Sequence, residues 1–261
     1  MNFETIRLAT DERGVATLTL ARPERHNALS AAMIGELAQA ASQLGGDPAV
    51  RVVVLAAEGE SFCAGADLGW MKEQFAAPRT QRIEEARRLA RMLNALYSLP
   101  KPLIGRVQGQ AFGGGIGMIS VCDVAIAASG ARFALTETRL GLIPATIGPY
   151  VVARIGHADA RRVFMSGRFF DAAEATALGL ANAVVDAGQL DAAIEAEVTP
   201  YLVAAPGAVA AAKDLLRRLG PKIDDAVIET TIARLADIWE TPEAQEGVTA
   251  FFEKRPPRWR S

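Results

Sequence analysis

The residues in this sequence that are best suited to chemistry lie in a glycine-rich stretch, residues 108–123, which contains three consecutive glycines at 113–115. Apolar runs flank the triplet, so the pattern predicts a strand, a turn and a short buried helix. Glycine allows a close backbone approach or a positive φ, and a helix start presents unpaired N–H groups. The stretch therefore predicts either a tight turn with close packing or a site for negative charge.

A second turn of small residues, SFCAGADL at residues 61–68, follows the strongest strand signal in the chain, residues 51–56. Two strand-to-helix turns of this kind can present two backbone N–H groups to a single oxygen atom. Fixed donors in that geometry stabilise a carbonyl oxygen as it becomes an oxyanion. The pair of turns therefore favours oxyanion chemistry over a purely structural role for either turn.

Several blocks of the sequence, in this order and spacing, resemble the crotonase (enoyl-CoA hydratase/isomerase) superfamily. They are RPERHNAL (22–29), FCAGADL (62–68), GQAFGGGIG (109–117), TETRLGLIP (136–144) and FFEKRP (251–256). The resemblance covers essentially the whole chain. Within the superfamily, GADLGWM and the GGGIGMIS…LIPATIGPYV pattern are most similar to bacterial 3-methylglutaconyl-CoA hydratases of leucine catabolism.

The resemblance implies the residues that carry the reaction. The thioester carbonyl of an acyl-CoA would lie between the backbone N–H groups of Ala66 and Gly114, and Glu137 would transfer protons. Without the resemblance, a lone glutamate in a short turn would be interpreted as a surface carboxylate. An apolar pocket would raise the pKa of Glu137 toward neutrality, which suits an acid–base catalyst.

One position departs from the pattern of typical enoyl-CoA hydratases, which carry a second glutamate where this chain has Gly117. Either Glu137 and one bound water perform both steps, or another side chain substitutes. Several Δ3,Δ2-enoyl-CoA isomerases of the superfamily also use a single glutamate, whereas the 3-methylglutaconyl-CoA hydratases share the glycine. We expect a hydratase (lyase), with two alternatives: an isomerase, and a CoA-thioester-binding or RNA-binding homologue without turnover.

The resemblance also implies contacts to coenzyme A, which would enter only as part of the substrate. The residues that match the coenzyme A-binding positions are Arg25, Ala28, Ala64, Asp67, Leu68 and Lys254. Ordinary structural roles compete with each assignment, since a turn arginine or a terminal lysine is commonly solvated. For Asp67 we favour a cap on the helix that begins near Leu68. Leu68 and Trp70 could equally line the acyl pocket or pack in the core.

Composition restricts the class of protein. Half of the 261 residues are hydrophobic, and the formal net charge is -2 without a basic block, which disfavours nucleic-acid binding. Cys63 and Cys122 are expected to be small buried residues, and no His/Cys cluster has metal-ligand spacing. Neither a signal peptide nor a membrane-spanning run is visible. A cytoplasmic protein is expected if the organism is bacterial.

Secondary-structure signals divide the chain in two. A β-hairpin, a helix after Ser30 and the strand near residue 52 predict a βαβ order and a mostly parallel sheet. Residues 70–78 are expected to be mobile. Residues 79–97 predict a helix on which Arg82, Arg87, Arg88 and Arg91 form a solvated face. Beyond residue 189 only alanine-rich helices are predicted.

The expected fold is therefore an α/β core, residues 1–189, followed by a helical region, residues 190–261. The resemblance implies more detail for both parts. The core would be a crotonase-like spiral of ββα repeats. The C-terminal helices would form a trimerisation region that packs against a neighbouring subunit, because family members are commonly trimers or hexamers built as dimers of trimers.

Overall fold

Ten strands and ten α-helices occur along residues 3–260, the part of the chain that the computed structural model describes. The strands are β1 (Ile6–Thr10), β2 (Val15–Leu20), β3 (Val52–Ala57), β4 (Ser61–Cys63), β5 (Leu103–Val107), β6 (Gln110–Phe112), β7 (Val124–Ala128), β8 (Arg132–Ala134), β9 (Phe169–Asp171) and β10 (Ala183–Val185). The helices are α1 (Ala31–Gly46), α2 (Leu68–Ala76), α3 (Arg79–Tyr97), α4 (Gly114–Ser120), α5 (Gly148–Phe164), α6 (Ala172–Ala177), α7 (Leu190–Val203), α8 (Pro206–Leu219), α9 (Asp225–Trp239) and α10 (Pro242–Phe252).

The strands form two sheets. The larger sheet has the order β1-β2-β3-β5-β7-β10, in which β1 pairs antiparallel with β2 and the remaining neighbours are parallel. The smaller sheet has the order β4-β6-β8-β9, with β4, β6 and β8 parallel and β9 antiparallel. The predicted hairpin and the mostly parallel sheet are confirmed.

A repeated unit connects the two sheets. Each of β3, β5 and β7 belongs to the larger sheet, and the strand that follows it, β4, β6 or β8, belongs to the smaller one. An α-helix follows β4 and β6 after a short turn, whereas a short 3-10 helix, Glu137–Leu140, lies between β8 and α5. This succession is the ββα repeat that the family resemblance implied, and the α/β spiral fold class is confirmed.

Local sequence signals explain where several helices begin. The Ser30 hydroxyl accepts a hydrogen bond from the Met33 N–H and caps α1, whose apolar face is buried in the main core. In the same way, the Asp171 carboxylate accepts from the Glu174 N–H at the start of α6. Both starts were predicted from sequence, because capping depends on side chains only three residues apart.

The C-terminal helices pack on the core of the same chain. Helix α7 covers the larger sheet with Leu190, Ile194 and Val198. Helix α9 lies along α3, and α10 packs on a short 3-10 helix, Glu137–Leu140, which we term the Glu137 turn. The division of the chain at residue 189 stays a prediction. Within residues 3–260, none of the helices combines the length and the hydrophobicity that a membrane span requires.

The local structure differs from the sequence analysis at several points. Residues 70–76, part of the segment expected to be mobile, form the helix α2, and their mobility stays a prediction. The helix expected at residues 147–155 continues to Phe164 through a kink at Gly156, where φ is 75°. The three-residue strands β4, β6 and β9 were not predicted, because strands this short depend on pairing with neighbours rather than on their own sequence pattern.

Candidate active site

Three parallel strands of the smaller sheet, β4, β6 and β8, lie side by side and run in the same direction. Ala66 follows the end of β4, Gly114 follows the end of β6, and Glu137 follows the end of β8, each by two or three residues. Because the carboxyl ends of parallel strands meet at one edge of a sheet, the topology brings these three residues together. Residues far apart in sequence thus share one edge.

The first turn is held by a segment from the N-terminal part of the chain. The Leu29 N–H donates to the Gly65 carbonyl at 2.8 Å, and the Asp67 N–H donates to the Leu29 carbonyl at 3.0 Å. Gly65 has a φ of 93°, which favours glycine. These bonds engage the residues on both sides of Ala66, whereas the Ala66 N–H itself has no acceptor among residues 3–260. This donor is therefore available to a ligand.

The second turn presents a matching donor. The Gly113 N–H donates to the Ala134 carbonyl at 3.0 Å, which ties the turn to β8. Gly114 is the first residue of α4, and its N–H has no acceptor within the described chain, as is usual at a helix start. A Cβ atom added to Gly65 would lie 3.9 Å from the Gly114 nitrogen. The two turns are thus adjacent, and both free N–H groups border the same cavity.

Glu137 begins the Glu137 turn and lies against the second turn. A Cβ atom added to Gly113 would be 3.0 Å from Glu137 Oε1, so the carboxylate packs over that glycine. The Oε2 atom is buried and has no hydrogen-bond partner in the described structure. Burial in these surroundings raises the pKa of Glu137 from its ordinary value of 4.5 to about 7. The carboxyl group is therefore poised to gain or lose a proton near neutral pH.

A cavity of about 860 Å³ contains all three groups. Of the residues predicted from sequence, the cavity is lined by Ala64, Ala66, Leu68, Trp70, Gly114 and Glu137. Its walls are largely apolar, which strengthens electrostatic interactions inside it. Two carboxylates line it, Glu137 and Glu85, and no cluster of acidic, histidine or cysteine residues within 3–260 could hold a metal ion. The arrangement suits stabilisation of an oxyanion next to an acid–base group.

The remaining residues predicted to contact coenzyme A lie outside this cavity lining. Arg25 is exposed in a 3-10 turn, and Lys254 is exposed just after α10. Ala28 is buried. Asp67 caps α2 by accepting from the Gly69 N–H at 2.8 Å, and it pairs with Arg22 at 3.1 Å, which confirms the capping role.

The structure assigns a positioning role to a residue that the sequence did not single out. Asn27 is completely buried, and its side-chain amide donates to the carbonyls of Glu58 and Ser61, both at 2.8 Å. Its φ of 52° lies in the left-handed region, where asparagine is tolerated better than most residues. Asn27 thereby fixes the 26–29 segment that holds the first turn. An asparagine in a short turn was the only local signal.

The position of the missing second glutamate is closed by apolar side chains. A Cβ atom added to Gly117 would lie 2.4 Å from Ile147 Cγ2 and 3.8 Å from Leu93 Cδ2. Both neighbours are buried hydrophobic residues. The space that a glutamate side chain would need is therefore occupied. Among the described residues, Glu137 is the carboxylate that packs against the second turn.

We expect the Gly117→Ala variant to be less stable than the parent protein by about 1–3 kcal/mol, because the added methyl group overpacks the contact with Ile147. Replacing Ile147 by alanine in the same chain should relieve the clash. Urea unfolding of the two single variants and the double variant measures this coupling. Strictly additive changes in the free energy of unfolding would contradict the assigned contact.

The chain is similar to known proteins over almost its entire length. A family model described as enoyl-CoA hydratase/isomerase matches residues 10–261. Mouse mitochondrial methylglutaconyl-CoA hydratase is 32% identical, over 97% of this chain and 82% of that protein. A solved enoyl-CoA hydratase from Shewanella pealeana is 39% identical, with a TM-score of 0.81 over 98% of this chain and 96% of the other. Another, from Mycobacterium avium, is 35% identical, with a TM-score of 0.85 and 98% of both chains covered.

Proposed function

Because the chain belongs to the enoyl-CoA hydratase/isomerase family, we propose that it adds water to α,β-unsaturated acyl-CoA thioesters. The observation that carries the proposal is the convergence of two unpaired main-chain donors and one carboxyl group in one apolar cavity. Relatives of similar length that bear the name enoyl-CoA hydratase support it. Coenzyme A takes part only as the carrier of the acyl group.

In the proposed reaction the thioester oxygen accepts hydrogen bonds from the Ala66 and Gly114 N–H groups. These bonds withdraw electrons from the conjugated double bond, which makes its β-carbon electrophilic. As water attacks that carbon, negative charge moves onto the thioester oxygen. Donors fixed by the strand ends stabilise this charge without reorganising, and each such donor typically contributes about 3 kcal/mol to the lowering of the barrier.

A single carboxylate can complete the proton transfers in sequence. Glu137 first accepts a proton from the attacking water, whose oxygen forms the new bond to the β-carbon. The same carboxyl group then returns that proton to the α-carbon as the enolate collapses to the thioester. The buried and unpartnered Oε2 atom of Glu137 can accept the first proton. No second carboxylate is needed, consistent with the packing around Gly117.

The pKa of Glu137 gives a specific pH dependence. Water activation requires the carboxylate, which is the minor form of Glu137 below a pH of about 7. We therefore expect kcat/KM for hydration to rise about tenfold per pH unit below about pH 7 and to level off above it. Initial rates over the range from about pH 5.5 to about pH 9 test this. A profile that is flat between about pH 6 and about pH 8 would contradict it.

A second candidate function is isomerisation of a 3-enoyl to a 2-enoyl thioester. It is favoured by the apolar contact of Gly117 with Ile147, since one carboxyl group suffices to move a proton from the α-carbon to the γ-carbon. Incubation in water labelled with oxygen-18 separates the two reactions. Hydration of a 2-enoyl-CoA places the label in a 3-hydroxyacyl product, whereas isomerisation of a 3-enoyl-CoA leaves the product unlabelled.

For the acyl group we propose 3-methylglutaconyl-CoA as the first candidate, which would place the enzyme in leucine degradation. The support is the similarity to a protein named methylglutaconyl-CoA hydratase together with the glycine at position 117. Comparing kcat/KM for 3-methylglutaconyl-CoA with kcat/KM for crotonyl-CoA tests this assignment. A clear preference for crotonyl-CoA would remove it while leaving the hydratase activity intact.

We also propose a homo-oligomer, a trimer or a hexamer, as in the superfamily. Helix α8 supports this, because it has no buried residue and exposes Leu216 by 70% and Leu219 by 75% within a single chain. Such a cluster is characteristic of an interface. Light scattering after gel filtration measures the mass directly, and a monomer at micromolar concentration would refute the proposal. The cytoplasmic location stays a prediction.

A further inference from the structure

One wall of the cavity contains an arginine that the sequence placed on a solvated face. Arg82 lies on α3, and its side chain is only 12% exposed. It lines the cavity together with Ala86 and Leu89, which occupy successive turns on the same face of the helix. The expectation of a solvated Arg82 is therefore wrong. The cavity-facing side of α3 therefore ends, at its N-terminal end, in the largely buried guanidinium group of Arg82.

Most of the hydrogen-bonding capacity of Arg82 is unused. Its Nε and Nη1 atoms are buried and have no acceptor in the described structure. The nearest carboxylate, Glu240, lies 3.8 Å from Nη2, which is beyond hydrogen-bond distance. Glu240 also accepts a hydrogen bond from Arg79 at 3.0 Å and is 47% exposed to solvent. This weak, shared partner leaves the inner part of the Arg82 guanidinium without a counterion.

The other acidic residue on the cavity wall near Arg82 is already committed. The Trp70 indole N–H donates to Glu85 Oε2 at 3.1 Å, and Arg88 contacts Glu85 Oε1 at 3.2 Å. Glu85 therefore holds α2 against α3 and does not neutralise Arg82. Protein carboxylates that could pair with Arg82 inside the cavity are thus absent from the described residues.

A second polar side chain faces the same cavity without a complete set of partners. Gln74 on α2 is 6% exposed, and its Oε1 atom has no donor in the described structure. Buried polar groups in native proteins are nearly always satisfied, so the unpaired N–H groups of Arg82 indicate a ligand that accepts hydrogen bonds, whereas the Gln74 oxygen is itself an acceptor. Apolar residues line the cavity wall beside Arg82 and Gln74. These residues are Trp70, Met71, Leu235 and Trp239.

We propose that Arg82 binds a carboxylate at the far end of the acyl group. The substrates would then be coenzyme A monothioesters of unsaturated dicarboxylic acids. A planar carboxylate matches the donor geometry of a guanidinium group, and the resulting charge-assisted bonds are strong in an apolar cavity. A hydrocarbon tail would instead leave the Arg82 donors unsatisfied.

The position of Arg82 along α3 identifies the acyl end of the ligand. Leu93, one helical turn beyond the cavity-lining Leu89, lies beside Gly117 of α4, the helix that begins at Gly114. Arg82 is three helical turns away, about 16 Å along the axis, with the cavity-lining residues Leu89 and Ala86 in between. A chain that starts at the thioester and passes Glu137 reaches Arg82 with its remote end. This placement of the thioester rests on the proposed function.

Binding of unreactive, saturated thioesters tests the inference separately from turnover. We would measure dissociation constants by calorimetry for pairs of equal carbon number: glutaryl- with pentanoyl-CoA, adipyl- with hexanoyl-CoA, and suberyl- with octanoyl-CoA. At the best-fitting length, the parent protein should bind the dicarboxylic member about ten- to a hundredfold more tightly. Arg82→Met should abolish that preference without weakening the neutral ligand, and Arg82→Lys should retain part of it.

The exposed Arg91 on the same helix provides the matched control. Arg91→Met removes the same charge from α3 but should leave the dissociation constants of both thioesters in every pair unchanged. Equal or tighter binding of the neutral thioesters by the parent protein at every length would overturn the inference. So would an Arg82→Met variant that binds both members equally poorly, which would make Arg82 structural. If Arg82→Met fails to fold, the test rests on two results: the preference of the parent protein for dicarboxylic thioesters, and the partial preference expected of Arg82→Lys.

The two proposals fail in different ways. A protein that prefers dicarboxylic thioesters but hydrates no enoyl-CoA would refute the hydratase function and retain the carboxylate site. A protein that hydrates neutral enoyl-CoAs and binds dicarboxylic thioesters no better would retain the hydratase function and refute the carboxylate site.

Discussion

Replacing Glu137 by glutamine is expected to lower kcat for hydration by about a thousandfold or more, with KM changed only slightly. Glutamine preserves the size of the side chain but cannot exchange the proton that the reaction moves, and general acid–base groups typically contribute factors of about 10² to 10⁴. The expected loss lies at the upper end of that range because Glu137 performs both proton transfers. Steady-state kinetics on a 2-enoyl-CoA measure it.

Glu85→Gln is the matched control for this experiment, since Glu85 is the other carboxylate on the cavity wall. Its oxygens already contact Trp70 and Arg88, so we expect its removal to change kcat less than about tenfold, far below the effect of a general acid–base group. A loss as large as that of Glu137→Gln would show that two carboxylates share the proton transfers. Undiminished activity of Glu137→Gln would remove Glu137 from the mechanism.

The Glu137→Gln substitution should also stabilise the folded protein in a pH-dependent way. The folded-state pKa of Glu137, about 7, lies above the ordinary 4.5, so the folded state binds the proton more tightly than the unfolded chain. Above pH 7 the buried carboxylate therefore destabilises the fold, by up to about 3 kcal/mol, and glutamine removes that penalty. We expect Glu137→Gln to melt at a higher temperature than the parent at about pH 8, but not at about pH 4.5.

Gly114→Pro is expected to lower kcat/KM by about 10² to 10³ relative to Gly114→Ala, because proline removes one of the two oxyanion donors. Both variants place a Cβ atom 2.7 Å from the end of the Leu29 side chain, so the steric disturbance is shared. Proline is also compatible with the first position of a helix. The proline ring also replaces the N–H hydrogen by its Cδ atom and restricts Gly113, so a second measurement is needed to separate loss of the donor from damage to the site.

Binding of a saturated acyl-CoA should separate this effect from general damage to the site. The donors interact more strongly with the oxyanion than with the ground-state carbonyl. The proline variant should therefore lose much less affinity for the saturated ligand than it loses in kcat/KM. Equal kcat/KM for the proline and alanine variants would mean that the Gly114 N–H does not bind the developing charge.

The signals that predicted this protein correctly from sequence are local. The caps at Ser30, Asp67 and Asp171 act over two or three residues, and each is found where it was predicted. The same holds for the long strands and the C-terminal helices, whose apolar patterns extend over several residues. Motif resemblance added the family and the ββα repeat, because the spacing of small residues in the turns is visible without a structure.

Side-chain environments could not be predicted in this way. Arg82 was assigned to a solvated face from sequence, but it lines the cavity and its side chain is only 12% exposed. The contact between Gly117 and Ile147 joins residues thirty positions apart. The short strand β4 forms by pairing with β6, and β6 by pairing with β4 and β8. Each of these features depends on which elements pack together, and a one-dimensional pattern does not contain that information.

The sequence by itself determined which residue types are available for chemistry: two small-residue turns, one glutamate and no second glutamate at position 117. Tertiary structure alone decided that the ends of three parallel strands bring them to one edge of a sheet, where burial raises the pKa of Glu137. The physical reason is that hydrogen-bond donors and capping groups are encoded locally, whereas burial and convergence depend on the packing of distant segments.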